Sequence, residues 1–251
     1  MDNKELLINY LSTPSNKGSK TWYDLAVMFN IGDESQTKEQ RAKKANDVWR
    51  RFIKRGLKAI TADKKAPRTM YLDIETSPNI GFFWQSGYKL NIGYENIIQE
   101  RAVICVCWKW QDEEEVHSLQ WDMGDDKKLL EDFVEELDKA DLVIGHNIAR
   151  FDIPWIFGRC VMHGIEIDTN FKREDTLTMA RNMFKFNSNR LDYIAQYLGV
   201  GQKKETGYGL WKDIVLKNCN KSMKAMVDYC KNDVIILEKV HKKLCQYKKK
   251  R

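Results

Sequence analysis

Apolar residues along this chain follow two different periods, and the change falls near residue 69. Before it the spacing is helical. Leu6, Leu7, Tyr10 and Leu11 share one face, and Trp22, Leu25, Ala26 and Phe29 repeat the pattern. After the polar break Gly32–Thr37, a longer helix is predicted from about Lys38 to Lys58, with Ala42, Ala45, Trp49, Phe52 and Ile53 as its apolar stripe. From Thr69 on, short apolar runs alternate with helical patterns. Strands are predicted at Met70–Ile74, Ala102–Trp110, Val116–Trp121 and Asp141–Asn147. Helices are predicted at Asp125–Lys139, Ile153–His163, Asp175–Met183, Leu191–Leu198 and Met223–Gln246, with Gly164 ending the second. Strands come first as a meander and then alternate with helices. That order predicts an α/β domain whose mixed sheet carries helices on both faces.

Composition and charge divide the chain further. Residues 1–62 form the helical unit, 63–68 a polar linker containing Pro67, and 69–251 the α/β domain. A hydrophobic fraction of 43% suffices for a globular core. No apolar run approaches the roughly 18–20 residues of a membrane span, and no signal core follows the N-terminus, so a cytoplasmic, intracellular protein is expected. Six cysteines lacking any CxxC spacing read as free thiols of a reducing compartment rather than disulfides or a zinc site. The net charge is only +6, but residues 38–68 hold twelve Lys or Arg against three acids, and the chain ends Lys248-Lys249-Lys250-Arg251. Residues 111–140 are acidic instead. Such segregation fits either a face for a polyanion or a solvated, lysine-rich surface. Two short helices, a turn and a third helix bearing Lys44, Arg51, Arg55 and Lys58 resemble a helix-turn-helix module. Protein docking and plain packing are the alternatives for this unit.

Three acidic motifs stand out in the α/β domain. Asp73 and Glu75 are two apart on a predicted strand, so they point the same way while Leu72 and Ile74 point into the core. Asp152 follows the predicted strand and polar turn Gly145-His146-Asn147 and opens a helix. Tyr229 and Asp233 share a helical face among apolar Met226, Val227, Val234 and Ile235. Singly, each has an ordinary reading: a solvated acid pair, a helix cap, a core tyrosine with an aspartate at the solvent edge. Together they offer four carboxylates, which repel one another unless a cation neutralises them.

As an ordered set the motifs resemble those of the DEDD superfamily of 3′-5′ exonucleases, in its DEDDy branch, across about residues 69–245. Asp73 and Glu75 match its D-x-E strand; Asn147, Phe151 and Asp152 match N-x-x-x-F-D; Tyr229 and Asp233 match Y-x-x-x-D. The histidine branch would place a His where Asp228 stands. The second motif, continued by Ile153-Pro154-Trp155-Ile156, looks most like the proofreading domain of family-B DNA polymerases. The resemblance implies an RNase H-like sheet and a two-metal mechanism. Asp73, Glu75, Asp152 and Asp233 would hold two divalent cations, Mg²⁺ or Mn²⁺, about 3.5–4 Å apart. Tyr229 would orient the attacking water, and Thr76, Asn147 and Phe151 would contact the terminal nucleotide. His146 is expected to be structural or to lie at the substrate's edge. The expected substrate is DNA, above all single-stranded 3′ ends, with RNA as the alternative because discrimination rests on contacts near the 2′-OH.

Two further segments bear on substrate. Residues 77–100 carry Phe82, Phe83, Trp84, Tyr88 and Tyr94 among glycines, able to stack on bases or to cover the core. Residues 199–212 mix glycine and lysine and are expected to form a loop near the substrate backbone; they lack the P-loop pattern. With 251 residues and no D-T-D motif, polymerisation is not expected. The expectation is a free-standing exonuclease of phage or bacterial type that partners a separate polymerase or replication protein, with an inactive nuclease fold that binds nucleic acid as its rival.

Overall fold

The structure, a computed structural model, describes residues 2–12, 16, 20–61, 67–85, 87, 92–202 and 206–247, with backbone alone at 54–61. Residue 62, residues 63–66 of the expected linker, the side chains of Arg55 and Lys58, Tyr88, residues 203–205 and the basic stretch 248–251 lie outside the described residues. The chain divides into two compact units, residues 1–66 and 67–251.

The first unit holds α1 (Asn3–Ser12), α2 (Trp22–Met28) and α3 (Lys38–Thr61). A capping box starts α2: the Thr21 hydroxyl accepts from the Asp24 amide, and the Asp24 carboxylate accepts from the Thr21 amide. Thr37 and Gln40 exchange the same pair of bonds before α3. The core is Leu7, Leu11, Leu25, Ala26, Ile31, Ala45 and Val48. Phe52 and Ile53, expected in the buried stripe, are exposed instead. They lie a turn beyond Val48, the last of the α3 side chains described that this small core buries.

In the second unit a five-stranded sheet has the order β5-β4-β1-β6-β7. Its strands are β1 (Thr69–Thr76), β4 (Val103–Trp110), β5 (Val116–Gln120), β6 (Leu142–Gly145) and β7 (Lys172–Asp175). β1 pairs antiparallel with β4 and parallel with β6, so the sheet is mixed, as expected. α4 (Lys127–Leu137) and α5 (Asp152–Met162) contact β4, and α9 (Asn220–Cys245) packs across β1, β4 and β5. α6 (Thr176–Met183), α7 (Leu191–Tyr197) and α8 (Gly209–Lys217) complete the unit, and α7 and α8 pack on α9. All eight residues of β4 are buried because it is an inner strand covered on both faces. Gly164, at φ +67°, ends α5 in the left-handed conformation that glycine adopts without strain.

Four elements escape the hydrophobic pattern. β7 reads Lys-Arg-Glu-Asp; it is an edge strand paired only with β6 and exposed through its first half. α8 lies partly inside the expected glycine-lysine loop, where Gly207 and Gly209 mask an apolar face of Leu210, Trp211, Ile214 and Val215. β2 (Ile80–Gly81) and β3 (Ile97–Gln99) pair as a separate two-stranded ribbon within the aromatic segment. Phe82, Phe83, Trp84 and Tyr94 are all exposed there, so they do not fold back over the core.

One buried ion cluster ties β4, α4 and α5 together. Asp126, fully buried at the start of α4, accepts from the Val103 amide at 2.9 Å. Arg159 grips both its oxygens at 2.8 Å, and His163 Nε2 lies 2.7 Å away. Burial alone would raise the Asp126 carboxyl, but the bonds from Arg159, Val103 and His163 outweigh it and hold the group below its ordinary 3.8. A depressed carboxyl stabilises the fold above its unfolded value and ceases to do so as pH falls through the folded one. Asp126→Ala is therefore expected to lower the unfolding free energy by about 3–5 kcal/mol, because it strands Arg159. Asp126→Asn should flatten the acid limb of the stability–pH curve. Urea titrations from pH 2 to 7 check both, and wild-type midpoints in the variants would refute the assignment.

Candidate active site

The sheet and α9 bring the first and third motifs together. Tyr71, Asp73 and Glu75 alternate with the core residues Leu72 and Ile74, so they share the face of β1 on which α9 lies. The Tyr71 hydroxyl meets His241 of α9 at 3.1 Å and fixes that orientation. A carboxylate oxygen from each of Asp73, Glu75 and Asp233 lies within 4.8 Å of the other two. Asp233 is only 2% exposed. Tyr229 sits one helical turn before it, half-buried, and lines a cavity of about 370 Å³ with Thr206, Gly207, Gly209, Leu210, Ala225 and Asp228.

Asp152 arrives from a different direction. β6 pairs with β1 only as far as Tyr71, so later amides on that side of β1 lack a strand partner. The Ile74 amide donates to Asp152 Oδ1 at 3.2 Å. This bond draws the first residue of α5 to the strand end that carries Asp73 and Glu75. The oxygens of Asp152 are not among those within 4.8 Å of the other three carboxylates. Burial pushes the Asp152 carboxyl up to about 7; its own amide and that of Ile74 oppose the rise, while the Asp175 carboxylate adds to it.

The remaining expected residues have partners of their own outside the three-acid set. Thr76 is buried, and its carbonyl accepts from the Trp211 indole at 3.1 Å. Asn147 takes a left-handed backbone at φ 71°, and its amide donates to Asp175 at 2.9 Å. Phe151 packs half-buried against the main core. His146 sets its ring nitrogens 2.9 Å from the Thr176 hydroxyl and 2.9 Å from the Asn189 carbonyl, a structural role. Residue patterns did not single out Asp175, which also caps α6 through the Leu177 amide, or the bond from Trp211 to Thr76, whereas the cavity residues of 206–210 fall within the expected loop 199–212. An Asx cap ahead of Leu177 was the one available signal for Asp175.

Asp73, Glu75 and Asp233 are an oxygen-only set crowded into a partly buried site. Like charges so placed favour a hard divalent cation, and the donor set fits one. All six cysteines are free, and Cys105, Cys107 and Cys230 lie against this acid cluster. A hydrogen bond from Cys105 is the largest cause holding the Cys107 thiol well below the ordinary range of a thiol.

A family model described as RNase_H superfamily matches residues 70–245, so the chain belongs to the RNase H superfamily. Its structure is similar to that of the family B DNA polymerase from the hyperthermophilic archaeon Pyrobaculum calidifontis, with a TM-score of 0.55 and 18% identity. The match covers 72% of this chain and 25% of the polymerase, so the chain spans about a quarter of that protein's length. At that identity the likeness carries the fold alone. No curated protein matches the chain.

The Asp152 environment sets a pH dependence of the metal-free protein. Its folded value of about 7 lies above its ordinary 3.8, so ionising it opposes folding. Stability in a chelating buffer is expected to fall as pH rises through that interval and to level off above it. A tenfold difference in proton affinity between the folded and unfolded chain is worth about 1.4 kcal/mol. Asp152→Asn should remove the decline, giving a more stable protein at pH 8; thermal melts at pH 5 and 8 measure this, and an unchanged slope in the variant would contradict it.

Proposed function

We propose that the protein is a metal-dependent 3′-5′ exonuclease of the DEDDy type acting on DNA, above all on single-stranded 3′ ends. The observation that carries this reading is the convergence of Asp73, Glu75 and Asp233 within 4.8 Å, on a strand and helix of an RNase H superfamily domain, with Tyr229 one turn away. Asp73, Glu75, Asp152 and Asp233 would hold two Mg²⁺ or Mn²⁺ ions. Two ions held by these residues would supply an activated water and charge stabilisation for a departing 3′ oxygen.

The chain's own residues supply position. Tyr229, half-buried one turn before Asp233 and lining the 370 Å³ cavity, orients the attacking water through its hydroxyl. Thr76, held by Trp211, and Asn147 and Phe151, at the turn into α5, bound the place of the terminal nucleotide. The exposed aromatics Phe82, Phe83, Trp84 and Tyr94 leave β1 by way of β2, and stacking there would be worth about 1–3 kcal/mol per base. The first unit, with Lys43 and Arg50 exposed on α3, binds the nucleic-acid backbone in this reading. The nuclease serves a separate polymerase or replication protein.

Incubation with 5′-labelled DNA and RNA, single- and double-stranded, is the direct test. A ladder shortening from the 3′ end in Mg²⁺ or Mn²⁺ is expected, absent in EDTA and in Asp73→Ala. No product from any substrate with either metal would sink the reading, and internal cuts on a 3′-blocked strand would make it an endonuclease. Tyr229→Phe is expected to lower turnover by about 10² or more while leaving the Mn²⁺-induced rise in melting temperature intact. If Tyr229→Phe cleaves at the wild-type rate, the water-orienting role is wrong.

Lys43→Ala with Arg50→Ala is expected to weaken DNA binding and to reduce the slope of log K against log salt by up to about 2. An unchanged slope would point to a docking role for the first unit.

A further inference from the structure

Behind the acid cluster lies a second set of ligands that the nuclease reading does not use. Cys105 and Cys107 are two apart on β4, so both point to one face. In the β1–β4 register Cys105 stands opposite Glu75 and Cys107 opposite Asp73, which turns both thiols toward α9. Cys230 comes down from α9 to meet them. One sulfur from each residue lies within 4.8 Å of the other two, and all three residues are 0% exposed. The three sulfurs thus come from two elements and converge on one point.

We propose that Cys105, Cys107 and Cys230 form a binding site for a thiophilic d¹⁰ cation of the Cu⁺, Zn²⁺ and Cd²⁺ class. Soft sulfur donors select this class over Mg²⁺ and Mn²⁺, which the oxygen-only cluster next door prefers. Cys105 and Cys107 project from one inner strand and Cys230 from the helix pressed against it, so the donors are held in place before a metal arrives. On binding, each S–H gives its proton to solvent and each sulfur forms one bond to the ion; no electron is transferred. Cys230 aims its thiol at Asp73 Oδ2 and at the Asp73 carbonyl, both at 3.4 Å. Loading the site removes that donated proton, which couples the soft site to the first acid of the hard one. The group Glu174, His241 and Cys245 is a separate cluster farther along α9 with one sulfur among its ligands.

The probe is Cd²⁺ alone, titrated into the reduced, metal-stripped full chain while the sulfur-to-cadmium charge-transfer absorption is followed. One equivalent is expected to saturate a band of three-thiolate intensity. Cys107→Ser should lose most of that band, and Cys219→Ser and Cys245→Ser should keep it. X-ray absorption on Cd²⁺-loaded wild-type protein, which needs no variant to fold, is expected to count three sulfur neighbours. One or no sulfur neighbour, no saturable band, or a full band in a folded Cys107→Ser protein would overturn the proposal. None of these readouts depends on nuclease activity.

Discussion

The seating of α9 on β1 and β4 is the contact on which the rest of the structure depends. The helix runs antiparallel to β1, with His241 over Tyr71 and Asp233 beside Asp73 and Glu75. Eight helical residues separate His241 from Asp233, a rise of about 12 Å. Four strand residues separate Tyr71 from Glu75, about 13 Å. The two periods nearly match, so every second strand residue can meet every fourth helical one. Lys109, opposite Tyr71 in the register, closes the seam with a 2.7 Å ion pair to Glu238. An apolar helix would have been held by burial alone; this one is held in register by polar pairs.

Polar groups along that seam differ in kind from end to end. At one end Lys109 joins Glu238, and His241 bridges Tyr71 and Glu174. At the other, three carboxylates crowd together, and burial lifts a fourth, Asp152, to about 7. Placing anions side by side opposes folding, and proteins keep such arrangements where function needs them. The Lys109–Glu238 pair and the Asp126–Arg159–His163 cluster offset this local cost with buried ion pairs of opposite sign.

Much of this was legible in the residues, for physical reasons. Period-two alternation places Asp73 and Glu75 on the face away from Leu72 and Ile74, and i,i+4 spacing aligns Tyr229 with Asp233. The mixed sheet followed from strands that first meander and then alternate with helices, as the structure has it. Contacts that join distant segments were not legible. Trp211 reaches Thr76 across 135 positions, and nothing local in Gly-Tyr-Gly-Leu-Trp announces that bond. β7 was hidden because an edge strand with exposed charges has no hydrophobic period to read. Phe52 and Ile53 misled for the opposite reason: an apolar stripe records what a helix can bury, and among the described side chains of α3 the small core takes in none as deeply beyond Val48.

The three thiols follow from the same seam. Positions 105 and 107 face α9 next to the acids, where a bulky aliphatic side chain would crowd Cys230 and a serine would need a strong partner for its hydroxyl. Cysteine is small, tolerates burial as a hydrophobe, and still donates weakly, as Cys230 does to Asp73. That combination suits a layer between an apolar core and a group of carboxylates. It also leaves soft sulfur and hard oxygen donors side by side on one face of a strand pair. Cations of the two classes would then sort by ligand chemistry rather than by distance, with Asp73 touching both sets.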